Sequence, residues 1–266
     1  MRQLFILIFL VLSLSLPAYV FAGEDLQIIK EQPATGKMYE RALVFFTEKI
    51  PDAFKKQLDQ SQKYIDLITE VFSDKDIPLD LVYLPLIESG FSPLSVGRGD
   101  AVGLWQFVKG TGRKYGLRID GYVDERKDPV KSTYAAADYL KDLYQMFGAW
   151  DIALAAYNAG DGKVRHWLKK YNGVRLPEVV NSYLARFMAA SDVAQDPKGY
   201  GLAPTKGISA GDDESDYTEL ITDKPMSLSA IALMYKTTVR IIRELNPALL
   251  GNTTPPYEYV LRLPKP

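Results

Sequence analysis

The chain has 266 residues, 47% hydrophobic and 12% aromatic, a makeup that fits a globular protein with one sizeable core and room for a small second module. Its 32 basic and 33 acidic residues are mixed along the sequence, which excludes the one-sided charge of a nucleic-acid-binding surface. The absence of cysteine excludes disulfides, thiolate metal ligands and a lipid-modified amino-terminal cysteine, and one histidine, His166, cannot form a histidine-pair zinc site.

Taken from its start, the chain places Arg2 before an apolar run from Leu4 to Leu16, then Pro17 and small residues up to Ala22. That order describes a secretory signal peptide over residues 1–22, and the run is shorter than the roughly twenty residues a spanning helix needs. With no later stretch long enough to cross a bilayer, the mature chain is expected to be soluble, without a transmembrane helix. Residues 23–35 are polar and read as an extended arm. A helical pattern begins near Met38 and carries Leu43, Phe45, Phe46 and Ile50, and a second, from Asp52 to Phe72, repeats Phe54, Leu58, Ile65, Ile68 and Phe72 at helix spacing.

After a turn at Asp76 to Pro78, a helix is expected up to Ser89. Leu81, Leu84, Glu88 and Phe91 then fall three and four residues apart, which sets a carboxyl on the stripe that faces the interior. A carboxyl in a dry setting has its ionised form disfavoured and can hold a proton near neutrality. Pro85, inside this helix, either bends it and aims Glu88 into a cleft or ends it early. Residues 92–101 read as a loop, followed by Gly103-Leu-Trp-Gln-Phe107.

A helix from Val130 carries an apolar stripe of Val130, Thr133, Ala136, Ala137, Leu140, Leu143 and Phe147, and Gly148 stops it. Asp151 is placed to cap the next, Ile152 to Tyr157, and further helices follow at 162–171, with His166 on the surface, and 177–194. A polar stretch from Asp196 to Asp216 has the makeup of a linker. Beyond it, a strand at 217–222, helices at 227–235 and 238–245 and a strand at 257–263 give a β-α-α-β order. The fold class expected is mainly α, with a small mixed module at the carboxy terminus.

Three ordered blocks, Glu88-Ser-Gly-Phe-Ser-Pro93, Gly103-Leu-Trp-Gln-Phe107 and Ala156-Tyr-Asn-Ala-Gly160, resemble those of the lytic transglycosylases with a goose-type lysozyme-like fold, in particular the membrane-bound lytic murein transglycosylase D type. The likeness runs over about residues 35–203 and implies a catalytic domain at 23–203 with its amino-terminal arm, a linker at 204–216 and a final module at 217–266. That module resembles a LysM sugar-binding unit through Leu228 to Ala232 and Arg243 to Pro247, but Thr222-Asp-Lys-Pro-Met226 replaces the usual Gly-Asp-Ser or Gly-Asp-Thr.

The resemblance implies that Glu88 is the catalytic acid and then the base of a second step. Ser89 would orient the sugar's acetamido group or bond Glu88. Gly103 would let backbone pass close to sugar, and the Gln106 amide would contact hydroxyl and acetamido groups. Tyr157 and Asn158 would belong to the site, and Tyr183 would point into it from a later helix; Leu104 and Phe107 read as core, and Trp105 as either core or a lining of the groove. Gly97 and Asp100 depart from the family's Ser-Arg-x-Gly-Ala pattern. The implied reaction cleaves the β-1,4 bond between N-acetylmuramic acid and N-acetylglucosamine in peptidoglycan strands, in the periplasm or cell envelope, without a cofactor, and closes a 1,6-anhydro sugar. Two other readings stay open: a hydrolytic muramidase that recruits an acid such as Asp124, since a two-carboxylate glycosidase needs a second one, and a cell-wall binding protein without activity.

Overall fold

Residues 33–171, 177–202 and 217–265 are described by a computed structural model, and most of them are helical. The signal-peptide and linker assignments lie outside these residues. So does most of the arm, but its last residues do not extend as expected: α1 (Pro33–Val44) starts at Pro33, which is tolerated where no backbone donor is needed, and passes through a π-helical turn (Phe45–Lys49).

The single helix expected over 52–72 is two, α2 (Pro51–Ser61) and α3 (Ile65–Asp74). At the break the Ser61 hydroxyl donates to the Leu58 carbonyl, and the Tyr64 N–H turns back to Ser61. A short polar side chain thus competes with the helix for its own backbone acceptors. Phe54, Leu58, Ile68 and Phe72 are buried on both sides of the break, so the apolar periodicity survives it.

The stretch that carries Glu88 is also divided, into a 3-10 turn (Leu79–Tyr83) and the short α4 (Leu84–Glu88). Pro85 therefore occupies a first helical turn, where its missing N–H costs nothing, and neither kinks a longer helix nor ends one. What ends α4 is a reversal: Gly90 and Phe91 adopt left-handed backbone at φ 63° and 59°, and the Ser89 and Phe91 N–H groups both return to the Pro85 carbonyl. Leu81, Leu84 and Phe91 are fully buried, as the spacing required.

After α5 (Lys109–Lys114) comes the long α6 (Pro129–Phe147). Asp128 caps it by accepting from the Val130 and Lys131 N–H groups at 3.0 Å, and Gly148, at φ 73°, releases it. Its stripe of Ala135, Ala136, Ala137, Leu140 and Leu143 is buried, and the small side chains let α7 (Trp150–Ala159) pack closely. That helix starts at Trp150, so Asp151 lies inside its first turn and is not its cap residue. After α8 (Asp161–Lys170), α9 (Glu178–Gln195) is buried from Val180 to Val193 on nearly all sides, as a helix crossed by several others must be. It packs against α1, α4 and α7 and so brings Tyr183 to the end of α4.

The last elements are β1 (Tyr217–Thr222), α10 (Leu228–Met234), α11 (Val239–Leu245) and β2 (Tyr259–Pro264), in the expected order. The strands pair antiparallel, with Leu220 opposite Leu261. Two strands alone are marginal in water, and here they close over Leu228, Ile231, Ile242, Leu249, Leu261 and Leu263. One further member of this small core, Val123, comes from the loop before α6. Among the described residues no helix is long and apolar enough to cross a membrane.

Candidate active site

Glu88 ends α4 with its carboxyl set deep between α4 and α9 and one side open to solvent. Burial raises its pKa above the usual carboxyl value. Two smaller effects oppose this: the hydrogen bond from Tyr183 and the charge of Arg186. The Tyr183 hydroxyl donates to Oε1 of Glu88 at 2.6 Å, and Tyr183 is itself buried. Its phenol is raised well above its ordinary value, by its own burial first and then by the Glu88 charge, so it remains a donor. The pair suits a group that must give up a proton and later take one back. The dry setting favours the acid, and the phenol receives the anion once it forms.

Tyr157, on α7, donates its hydroxyl to the Trp105 carbonyl at 2.7 Å and lies near enough to Glu88 for that carboxylate to raise its phenol, after burial. Its ring packs at 5.2 Å from Tyr139 of α6, an aromatic neighbour that the sequence blocks did not signal. Asn158, next along α7, is exposed. His166 is exposed on α8, as expected.

The loop between α4 and α5 corrects several expectations. Trp105 does not line a groove: it is 0% exposed, its ring lies 5.6 Å from Phe72, and its indole N–H donates to the Thr133 hydroxyl of α6 at 3.0 Å. An indole with its one donor satisfied inside is a core residue. Ser89 does not bond Glu88. Its hydroxyl donates to the Leu104 carbonyl at 2.7 Å and accepts from the Ser92 N–H, tying α4 to the loop. Gly103 has φ 88°, and a Cβ there would sit 1.8 Å from the Arg126 carbonyl oxygen. The close approach that demands glycine is thus to protein backbone and not to sugar.

Gln106 is also used within the loop. Its own backbone is left-handed at φ 50°, and its amide donates to the Gly103 carbonyl at 2.8 Å and to that of Ser95 at 3.4 Å. Its amide oxygen lies 2.2 Å from where a Cβ on residue 97 would stand, so Gly97 makes room for this side chain. Asp100 takes φ 62°, a conformation that Asp tolerates better than most side chains, and it keeps the glycine-like turn the resemblance implies.

The residue that sequence reasoning missed is Arg126. At 1% exposed it forms a two-pronged pair with Asp124, Nε to Oδ1 at 2.9 Å and Nη2 to Oδ2 at 2.7 Å. Its Nη1 donates to the carbonyls of Asp100 at 2.6 Å and Phe107 at 2.9 Å, one from each side of the loop. The Arg126 hydrogen bond and charge hold the Asp124 carboxyl below its usual value against the opposing effect of burial. Only the spacing Asp124-Glu-Arg126 ahead of α6 could have hinted at this.

A mainly helical domain that sets one buried carboxyl at the end of a short helix, bonded by a phenol from a crossing helix, is the arrangement that the comparisons with known proteins can be set against. The family is specific: residues 70–175 match the transglycosylase SLT domain, and the chain carries that domain. It is 30% identical over 204 residues to membrane-bound lytic murein transglycosylase D of Escherichia coli, covering 73% of this chain and 44% of that protein. It is also 31% identical over 173 residues to the soluble lytic murein transglycosylase of Escherichia coli, covering 63% of this chain and 25% of the other. The crystal structure of the 70 kDa soluble lytic transglycosylase from Escherichia coli aligns at 23% identity and a TM-score of 0.44 over 66% of this chain and 32% of that one. The chain spans less than half the length of these relatives.

Proposed function

We propose that the protein is a peptidoglycan lytic transglycosylase that cleaves the β-1,4 bond between N-acetylmuramic acid and N-acetylglucosamine, with Glu88 as its one acid and base. The observation that carries this reading is the Glu88 carboxyl, raised in pKa by burial and bonded by Tyr183. Glu88 gives its proton to the bridging oxygen as the bond from the muramic acid C1 breaks, and the glucosamine end leaves as an alcohol. The C6 hydroxyl of the same muramic acid then bonds to C1, directly or after its 2-acetamido group has held that carbon, and the C6 hydroxyl proton returns to Glu88. Nothing is added or lost overall, and the sugar closes to its 1,6-anhydro form.

The hydrolytic reading asked Asp124 to activate water. Both Asp124 oxygens are instead held by Arg126, in a pair that keeps the acid ionised and occupied. Of the site residues, Glu88, Tyr183 and Tyr157 form the reacting centre and Asn158 meets the sugar at its rim. Ser89, Gly103, Trp105 and Gln106 fix the wall beside it. The leading segment at 1–22 carries the chain out of the cytoplasm to its substrate in the periplasm or cell envelope, and the final module at 217–266 is LysM-like. Mass spectrometry of digested sacculi tests the reaction: anhydro-ended products are expected, and products heavier by one water make the enzyme a hydrolase.

A further inference from the structure

The final module is joined to the rest of the protein by more than the chain. Its core takes in Val123, which is fully buried there and bridges to Leu249. On either side of that bridge, the Asp124 N–H donates to the Ala248 carbonyl and the Leu250 N–H to the Tyr122 carbonyl, each at 2.9 Å. Two side-chain clasps flank it. Tyr257 donates to Asp120 at 2.7 Å with the Arg118 guanidinium 4.1 Å from its ring centre. Arg262 of β2 reaches Asp128, the cap of α6, at 3.5 Å.

The same segment, 118–128, holds the active-site loop from the other side. Asp124, whose backbone is gripped by the module, orients Arg126 through both carboxylate oxygens. Arg126 then ties Asp100 to Phe107 and offers its carbonyl oxygen as the surface against which Gly103 packs. That loop in turn supplies the Trp105 carbonyl that fixes Tyr157 and the Leu104 carbonyl that fixes Ser89 beside Glu88.

We propose that the module works as a brace for the active site, with Arg126 as the positioning residue through which docking reaches the Gly103–Phe107 loop. As an effect on catalysis this rests on the proposed reading of Glu88; as an effect on the loop it does not. A module that only grips glycan would change affinity for long strands and leave the loop alone.

The test uses the full chain with Tyr257→Phe and Arg262→Gln combined, since replacing Arg126 itself threatens folding. Amide hydrogen exchange is followed at Val102, Gly103 and Phe107, whose N–H groups bond Phe107, Ser95 and Val102, and at Leu140 inside α6 as a check on the core. Exchange at the three loop amides is expected to rise about tenfold with Leu140 unchanged. On a tetrasaccharide of alternating N-acetylglucosamine and N-acetylmuramic acid, kcat should fall about tenfold with little change in KM, because a small displacement at a reacting centre acts on the chemical step. Restoring the cation with Arg262→Lys should recover part of both, and Leu233→Gln on the module's exposed face should alter neither. Loop exchange that stays at the parental rate, with KM alone affected or nothing affected, overturns the brace. Loop exchange that rises in a protein whose parent has no turnover upholds the brace and removes the proposed function.

Discussion

Glu88 and Asp124 are both withdrawn from solvent, and their surroundings drive their pKa values apart. At Glu88 burial prevails and raises the carboxyl pKa against the Tyr183 hydrogen bond and the Arg186 charge. Asp124 meets the planar fork of Arg126 at both oxygens, and the fork prevails over burial. The difference teaches that desolvation makes an acid only where no cation is close enough to repay it. The Glu88 carboxyl is biased toward its protonated form, and Asp124 becomes a rivet.

The sharpest way to break the comparison is to remove the proton from one side of it. Glu88→Gln keeps the shape and the Tyr183 contact but cannot protonate a leaving group. Turnover of purified sacculi should fall about a thousandfold or more, within the range general acid catalysis commonly supplies. A variant that clears cell wall as fast as the parent ends the assignment of Glu88.

The fold around this contrast was legible where local chemistry settles it. The 130–147 stripe and Gly148 specify α6 without help from the rest of the chain. Tyr183 was legible through the resemblance, since nothing local says that a tyrosine 95 residues away meets Glu88. Trp105 was left between core and groove because a short loop has no period to say which side faces inward. Gly103 and Gln106 were assigned to sugar because their real partners, the Arg126 carbonyl and the Ser95 and Gly103 carbonyls, are fixed only by the folded loop. Arg126 left little trace beyond its spacing from Asp124 for the same reason, since two of its acceptors are backbone atoms and carry no sequence signature.

Breaking the rivet should cost stability more than chemistry. Asp124→Asn leaves the Arg126 guanidinium buried with only the exposed Asp100 carboxylate, 3.9 Å away, as counter-charge, and removing one member of a buried pair costs about 3 kcal/mol or more. A clear fall in the thermal midpoint is expected, with the product remaining the anhydro sugar. If the variant is as stable as the parent, Arg126 is held by the loop carbonyls and Asp100 without Asp124.

The pH dependence of stability should carry opposite signs for the two acids. Glu88 is raised in the folded protein, so the native state holds the extra proton, and stability falls as pH rises from the ordinary carboxyl value through the folded pKa. Glu88→Gln should therefore match or exceed the parent's stability at neutral pH, with the gap closing as pH drops toward the unfolded value. Asp124 is lowered, so its contribution is complete above the ordinary carboxyl value and is lost as pH falls through the folded pKa. Unfolding curves of the parent, Glu88→Gln and Asp124→Asn across acid pH check both signs, and parallel slopes would refute the contrast.

The smallest effect belongs to the phenol. Tyr183→Phe removes the hydrogen bond that lowers the Glu88 pKa while leaving the burial that raises it. The carboxyl should then hold its proton to higher pH, and the alkaline limb of kcat/KM should move upward. The rate at the optimum should fall only about tenfold, since the anion formed after the first step loses one donor at a cost of roughly 1.5 kcal/mol. An alkaline limb that moves down, or stays in place while the rate falls, would mean that Tyr183 acts on the substrate and not through Glu88.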